Sequence, residues 1–438
     1  MAKKLWGGRF KKEIDRDFFE FQKSIHYDYN LAKYDLYHSW IHVTALKNSG
    51  ILTNDEAKKL HAALEGVLKE IKENKFKPNL NSEDIHTEIQ NKIEKKTGSL
   101  AGKLHTLRSR NDQIAFDEKF YCKQEAEKIN QYLSEVQASL KSLSIQHKGL
   151  NIPGYTHTQR AQAVKFSDYL GAHIVMFKND QKRLKNFSDN LIIQLGSGAF
   201  KGTSLTKEYD KAIKVFLQQK IAPDFCGKLA VVDNALVNVS DRDFIIEFLS
   251  ALSIIQMHLS RLAEDFILYS AKEFNYFDLP EEFCTGSSLM PHKKNPDFLE
   301  LVRGYTGRIY GNLVSLLTMM KGLPLTYNRD MQLDKEPLFS SVDIVKAELK
   351  ILAKFIKGVK LNKDVIKKAL QDESLYATDL AEYLVMKKVT FSQAHEIVGK
   401  LIRYSEDNRC KIKQMEEGLL KKFCPYLSKE AINKIYHF

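Results

Sequence analysis

The chain has 438 residues, 43% of them hydrophobic and 28% charged, with a formal net charge of +12. That length exceeds one ordinary core and predicts two or three domains of ordinary soluble composition. No unbroken apolar run reaches the ~18 residues that a bilayer-spanning helix needs, and the lysines are spread along the chain, which favours solvated helix faces over a nucleic-acid groove.

Gly and Pro are sparse, at 21 and 9 residues, which predicts long helices in place of a turn-rich β fold. Over residues 1–104 the predicted helices are short. One, at 53–74, opens on Thr53 with Glu56 three residues on, a capping box; another starts near Asn81-Ser82-Glu83-Asp84 and stops before Gly98. Long helices are expected at about 118–147, 159–190 and 342–357. Two apolar stripes mark further long helices. Phe244, Phe248, Leu252, Ile255, Leu259, Leu262, Phe266 and Tyr269 recur at helical spacing, as do Leu299, Val302, Ile309, Leu313, Leu316 and Met320 before Gly322 and Pro324 end the run. No alternating strands stand out in the middle of the chain, and Thr390 with Gln393 opens a C-terminal stretch of shorter helices. The expected fold is therefore all-α in three domains: a small helical domain at 1–104, a central long-helix bundle at 105–358 and a small helical domain at 359–438. Stripes this wide invite partner subunits.

Four polar islands interrupt the helical pattern. His105-Thr106-Leu107-Arg108-Ser109-Arg110-Asn111-Asp112-Gln113 follows a Gly-containing loop, and its two arginines suit a carboxylate as well as they suit a solvated helix start. Gly154-Tyr155-Thr156-His157-Thr158-Gln159-Arg160 offers His157 for proton transfer near neutral pH; taken alone it reads more readily as a capping threonine before an ordinary histidine. The third island is Gly286-Ser287-Ser288-Leu289-Met290-Pro291-His292-Lys293-Lys294-Asn295-Pro296. Gly286 frees the backbone, Asn295 is a good N-cap, Pro296 suits the first helical position, and Asp297 suits the first turn. The following helix then aims its positive end at a serine- and lysine-rich loop, where a serine can lose its proton more easily than in water. Lys, Asn and Pro at the helix start favour an active-site loop over a plain surface connection. The fourth island, Tyr327-Asn328-Arg329-Asp330-Met331-Gln332-Leu333-Asp334-Lys335-Glu336-Pro337, brings a phenol, amides and cations together, or is a polar interhelix loop.

Common cofactor and metal motifs are missing. There is no phosphate-binding G-x-x-x-x-G-K-[ST] loop and no H-E-x-x-H pair, and Gly196-Ser197-Gly198 reads as a helix break. The five cysteines (Cys122, Cys226, Cys284, Cys410, Cys424) are scattered without C-x-x-C spacing, so neither a disulfide frame nor a zinc site is expected. The start, Met1-Ala2-Lys3-Lys4-Leu5-Trp6, lacks the apolar region of a signal peptide, so the cytoplasm is the expected compartment. A site free of cofactor and metal is expected, with neither nucleic acid nor membrane as partner.

The third island resembles the signature of the fumarase/aspartase superfamily, all-helical homotetrameric lyases that eliminate fumarate from a succinyl compound. Leu5-Trp6-Gly7-Gly8-Arg9-Phe10, Ser109-Arg110-Asn111-Asp112-Gln113, Gly154-Tyr155-Thr156-His157 and Tyr327-Asn328-Arg329-Asp330-Met331-Gln332 are similar to the argininosuccinate lyase family within it, in the expected order across nearly the whole chain. The resemblance implies reversible cleavage of argininosuccinate to arginine and fumarate, by general acid–base catalysis through a doubly charged aci-carboxylate that needs dense positive charge. It implies Ser287 as base, His157 as the group that assists protonation of the departing guanidinium nitrogen, Lys293 as the stabilising cation and Glu300 as an orienting partner of His157 across subunits. It places Ser24, Arg110, Asn111, Thr156, Asn295, Tyr327, Gln332 and Lys335 around the substrate. It further implies a homotetramer whose long helices join in one bundle, each site being built from three subunits. Leu107 departs from the family pattern, where a small residue is usual, as does Ala199-Phe200-Lys201 before Gly202. The C-terminal domain also looks short. The rival readings are another fumarate-releasing lyase such as one acting on adenylosuccinate, a structural relative like the lens δ-crystallins, and a basic nucleic-acid-binding helical protein.

Overall fold

The computed structural model describes residues 11–223, 225 and 227–436; the Leu5-Trp6-Gly7-Gly8-Arg9-Phe10 segment and Cys226 lie outside the described residues. Among the described residues helices dominate, accompanied by three short two-stranded sheets. The chain divides into two compact units, one formed by residues 1–133, 179–257 and 304–349 and the other by 134–178, 258–303 and 350–438. The unit limits fall inside each of the five long helices, Arg110–Gln146, Phe166–Asn190, Asp243–Ser270, Asp297–Met320 and Lys335–Gly358.

The long-helix stripes behave as their periodicity demands. All eight stripe positions of Asp243–Ser270, from Phe244 to Tyr269, are buried. In Asp297–Met320, Leu299, Val302, Ile309 and Leu316 are buried, Leu313 and Met320 half-buried, and Gly322 follows the end with φ +73°. The capping box at Thr53 is fully formed at the head of Asn54–Lys72, and Asp84 caps Ile85–Thr97 by accepting from the Thr87 N–H. Thr390 accepts from the Gln393 N–H at the head of Phe391–Asp407.

Four expectations need correction. The Arg110–Gln146 helix starts well before residue 118, because Ser109 accepts the Asn111 N–H and opens it. The last long helix likewise starts at Lys335. The stretch 159–165 is not helical. It forms the strand β2 (Gln159–Lys165), paired antiparallel with β1 (Asn151–Thr156), and the helix begins only at Phe166. The hairpin's polar turn and mixed sequence lack the strict alternation that reveals a strand. Finally, β3 (Ile192–Leu195) precedes Gly196-Ser197-Gly198 and pairs in parallel with β4 (Lys228–Val231), so that glycine run ends a strand, not a helix.

Each unit has its own core. In the first, the Ala32–Asn48 helix is buried nearly all round, as expected of a helix surrounded by others, and packs on Asn54–Lys72 and Thr206–Gln218. In the second, Leu380, Leu384, Val398, Leu401, Leu420 and Ile432 join the C-terminal helices into one apolar cluster.

Candidate active site

The first unit holds a cavity of about 1350 Å³ whose lining includes Ser24, Arg110, Asn111, Tyr327, Gln332 and Lys335, six of the residues expected around a substrate. Arg110 opens its helix and is tied by Nε to Asp84 at 3.1 Å and by its terminal nitrogens to Thr87 and Gln113. The other arginine of that island behaves differently: Arg108 is buried and donates to Ser39 and His38 at 2.9 and 3.3 Å, so it props the turn from inside and leaves Arg110 to face the cavity. Leu107, the residue before Arg108, has φ +57°, a left-handed conformation that a glycine adopts without strain. This is the physical content of the departure noted above. Asp112, one turn along, is buried and accepts the Gly196 and Ser197 N–H groups at 3.0 and 3.1 Å. The Gly196-Ser197-Gly198 run thus anchors the arginine-bearing helix, and burial still pushes the Asp112 carboxyl up to about 6.

Lys335 is 2% exposed, and its ammonium pairs with Glu118 and Asp334, both at 2.8 Å. Arg242, also buried, reaches the same two carboxylates at 3.3 and 2.5 Å. Two cations alternate with two anions, so the ammonium is fixed in place and keeps its charge. Burial works against the protonated form of Lys335, but Asp334 and Glu118 outweigh it and hold the pKa above the ordinary lysine value. Gln332 is set by its bond to the Gln22 carbonyl at 2.9 Å, and Tyr327 follows Thr326, whose φ is +73°.

The sequence reading missed the acidic side of this cavity. Asp28 accepts the Ser24 hydroxyl at 2.6 Å and the Ile85 N–H at 3.1 Å. Burial and the nearby Asp84 push its carboxyl up to about 6, while His86, Ser24 and Lys335 pull the other way. Asp84, Glu83 and Glu88 line the same space. The only available signal was the acidic Glu83-Asp84 pair, which served as a helix start. His86 lines the cavity too and lies 3.4 Å from Asp35 and 3.6 Å from Asp117, all three buried. Burial raises the Asp35 pKa, but His86, Arg108 and Arg110 outweigh it and hold the carboxyl below the usual range.

The remaining expected residues, Thr156, His157, Ser287, Lys293, Asn295 and Glu300, belong to the second unit and do not line this cavity. His157 and Thr158 form the two-residue turn between β1 and β2, with φ +55° and +60°. Non-glycine residues in that region are strained, and such strain concentrates at functional turns. His157 is exposed at the tip. The Ser287 loop is closed at its base by a two-way backbone pair between Thr285 and Asn295, at 3.1 and 2.8 Å, and by Thr285 Oγ1 on Asp297 at 2.5 Å. Asn295 therefore pins the loop, and the helix starts at Asp297, one residue later than an Asn295 cap requires. Inside the loop, Ser287 Oγ accepts the Leu289 and Met290 N–H groups at 3.3 and 3.0 Å. Those donors favour the deprotonated hydroxyl. Lys293 and Glu300 are exposed.

Residues 8–311 match the family described as Lyase, and residues 374–437 match the one described as Argininosuccinate lyase C-terminal. The chain is 42% identical over 433 residues to the argininosuccinate lyase of Caldanaerobacter subterraneus subsp. tengcongensis, covering 99% of this chain and 96% of that protein. It is 43% identical over 436 residues to that of Carboxydothermus hydrogenoformans, covering 99% and 93%. Among solved structures, an EDDS lyase in complex with formate superposes with a TM-score of 0.78 at 21% identity, covering 95% of this chain and 82% of that one. The recombinant class II fumarase from Schistosoma mansoni gives 0.75 at 17% identity, covering 94% and 90%. The helical fold is shared with both, and likeness at over 40% identity across 99% of the sequence leads to one conclusion: this chain belongs to the argininosuccinate lyase family of the fumarase/aspartase superfamily.

Proposed function

We propose that the protein cleaves argininosuccinate reversibly to arginine and fumarate, serving arginine biosynthesis in the cytoplasm. The observation that carries this reading, beyond family membership, is the mixed charge of the cavity. Arg110 and Lys335 suit carboxylates, while Asp28, Asp84 and Glu88 suit the amino and guanidinium groups of an arginine moiety. A malate- or aspartate-sized substrate has no use for that acidic wall.

In this mechanism Ser287 removes the proton from the carbon beside a carboxylate. The electron pair enters an aci-carboxylate dianion that Lys293 and the N-terminus of the Asp297–Met320 helix stabilise. The C–N bond then breaks, the C=C bond of fumarate forms, and His157, oriented by Glu300, supports protonation of the departing nitrogen. Ser24, Arg110, Asn111, Thr156, Asn295, Tyr327, Gln332 and Lys335 hold the substrate. Each site is completed by other copies in a homotetramer. Support comes from the Asp297–Met320 helix, which leaves Leu301, Tyr305, Tyr310, Val314 and Leu317 exposed, and from an apolar groove of about 430 Å³ that includes Ile254, Met257 and Leu313. The domain limits 1–104, 105–358 and 359–438 belong to the same reading. The test is to add purified protein to argininosuccinate and follow fumarate by ultraviolet absorbance, with adenylosuccinate and malate as controls. Fumarate from argininosuccinate alone supports the proposal, and release from adenylosuccinate alone overturns it.

A further inference from the structure

The hairpin that carries His157 packs on the C-terminal region through Ala163 of β2, and one ion pair joins the two near the turn. Arg160 is the cross-strand partner of Tyr155, one residue pair below the His157-Thr158 turn. Its Nη1 donates to Asp372 Oδ2 at 2.7 Å. The other oxygen of Asp372 accepts from the Ser374 N–H at 3.0 Å and the Ser374 hydroxyl at 2.7 Å, which caps the turn Glu373–Tyr376. That turn is itself fixed. Glu373 accepts the Ile412 and Lys413 N–H groups at 2.6 and 2.8 Å, and Leu375 and Tyr376 enter the C-terminal apolar core. On the hairpin's side, the Tyr155 hydroxyl meets that of Tyr276 at 2.7 Å. The register shifts between Pro153 and Tyr155, where a Cβ on Gly154 would sit 2.8 Å from the Gln162 carbonyl oxygen. A bulge of this kind re-aims the strand end.

An exposed ion pair contributes little to stability. This one joins a strained two-residue turn to a rigid core, so its value lies in geometry. We propose that Asp372, acting through Arg160, is a positioning residue that holds the His157 turn at the angle its proton transfer requires. The proposal rests on the lyase reading for the role of His157, whereas the clamp itself does not. A misplacement of about 1 Å in a reacting group costs up to ~100-fold in rate, so loss of the clamp acts on turnover and leaves substrate binding largely alone.

Asp372→Ala and Arg160→Met test the clamp from its two ends, and Arg160→Met leaves the Ser374 cap intact. Both variants should speed amide hydrogen exchange of residues 155–160 about tenfold while the C-terminal core keeps its protection. Both should lower kcat about 10- to 100-fold with KM within about twofold, and the double variant should be no worse than either single one. Asp372→Glu should recover part of the rate. Unchanged exchange in the hairpin, kcat within about twofold of the parent, or losses that multiply in the double variant overturn the proposal. A much larger loss for Arg160→Met than for Asp372→Ala does so too, because Arg160 then acts through groups other than Asp372, such as Tyr155 or the substrate. If the parent enzyme releases no fumarate, the functional reading falls, and the exchange comparison still decides whether the clamp exists.

Discussion

The cavity of the first unit and the hairpin and loop of the second hold their polar groups by opposite means. In the cavity, charge is buried and paired: Lys335 sits among Glu118, Asp334 and Arg242, and Arg110 leans on Asp84. In the second unit His157, Lys293 and Glu300 are exposed, and order comes from backbone devices: a left-handed turn, a pinned loop base, and two N–H groups on Ser287. Groups that recognise a charged substrate gain from a rigid, desolvated setting. Groups that transfer protons, on our reading, stand on segments that can meet other copies of the chain.

The contrast breaks most visibly at the reactive serine. Ser287→Ala should cut turnover by about 1,000-fold or more with the melting temperature unchanged, since a half-exposed loop hydroxyl contributes little to packing. Mixing that variant with an inactive His157→Asn variant should restore activity at up to about a quarter of the sites if different chains of a symmetric assembly supply the two groups. No recovery after subunit exchange removes the shared-site reading.

Stability separates the two lysines. Lys335→Met leaves Glu118 and Asp334 facing Arg242 alone, and should cost about 3 kcal/mol in denaturant unfolding along with a higher KM. Lys293→Met, at an exposed site, should lower turnover and leave unfolding untouched. Equal effects on stability would erase the distinction between the units.

Asp28 gives a pH test. Its carboxyl is raised from 3.8 to about 6 on folding, so its contribution to stability is present below pH 3.8 and lost as pH rises through 6. Asp28→Asn preserves the hydrogen-bonding shape toward Ser24 and Ile85. It should flatten that part of the stability profile between pH 4 and 7 and raise stability at pH 7 by about 3 kcal/mol, while activity falls. A parent profile with no such slope, measured by urea unfolding across that range, counts against the burial argument. The smallest effect is at Leu107. Leu107→Gly relieves a left-handed φ and should stabilise the first unit by up to about 1 kcal/mol in the same assay.

The stripes from Phe244 to Tyr269 and from Leu299 to Leu316, the capping box at Thr53, and the polar islands were legible in the sequence because each is local: periodicity and caps need only neighbours within a few turns. The β1–β2 hairpin was not, because a two-residue turn built on His157 and Thr158 carries none of the glycine or asparagine that marks such turns. Nor was the inward role of Arg108, identical in type to Arg110 two residues on, since only the position of His38 and Ser39 decides which guanidinium is buried.

By itself the sequence determined the helical architecture, the family and the residue types available for proton transfer and anion binding. Tertiary structure alone decided that Asp28 and Asp84 face the same cavity as Arg110 and Lys335, that Gly196 and Ser197 anchor Asp112, and that Asp372 reaches Arg160. The reason is range. Helix periodicity repeats every few residues, whereas an ion pair or a shared wall joins positions dozens to hundreds of residues apart, and no local pattern records which of many chemically equivalent side chains will meet.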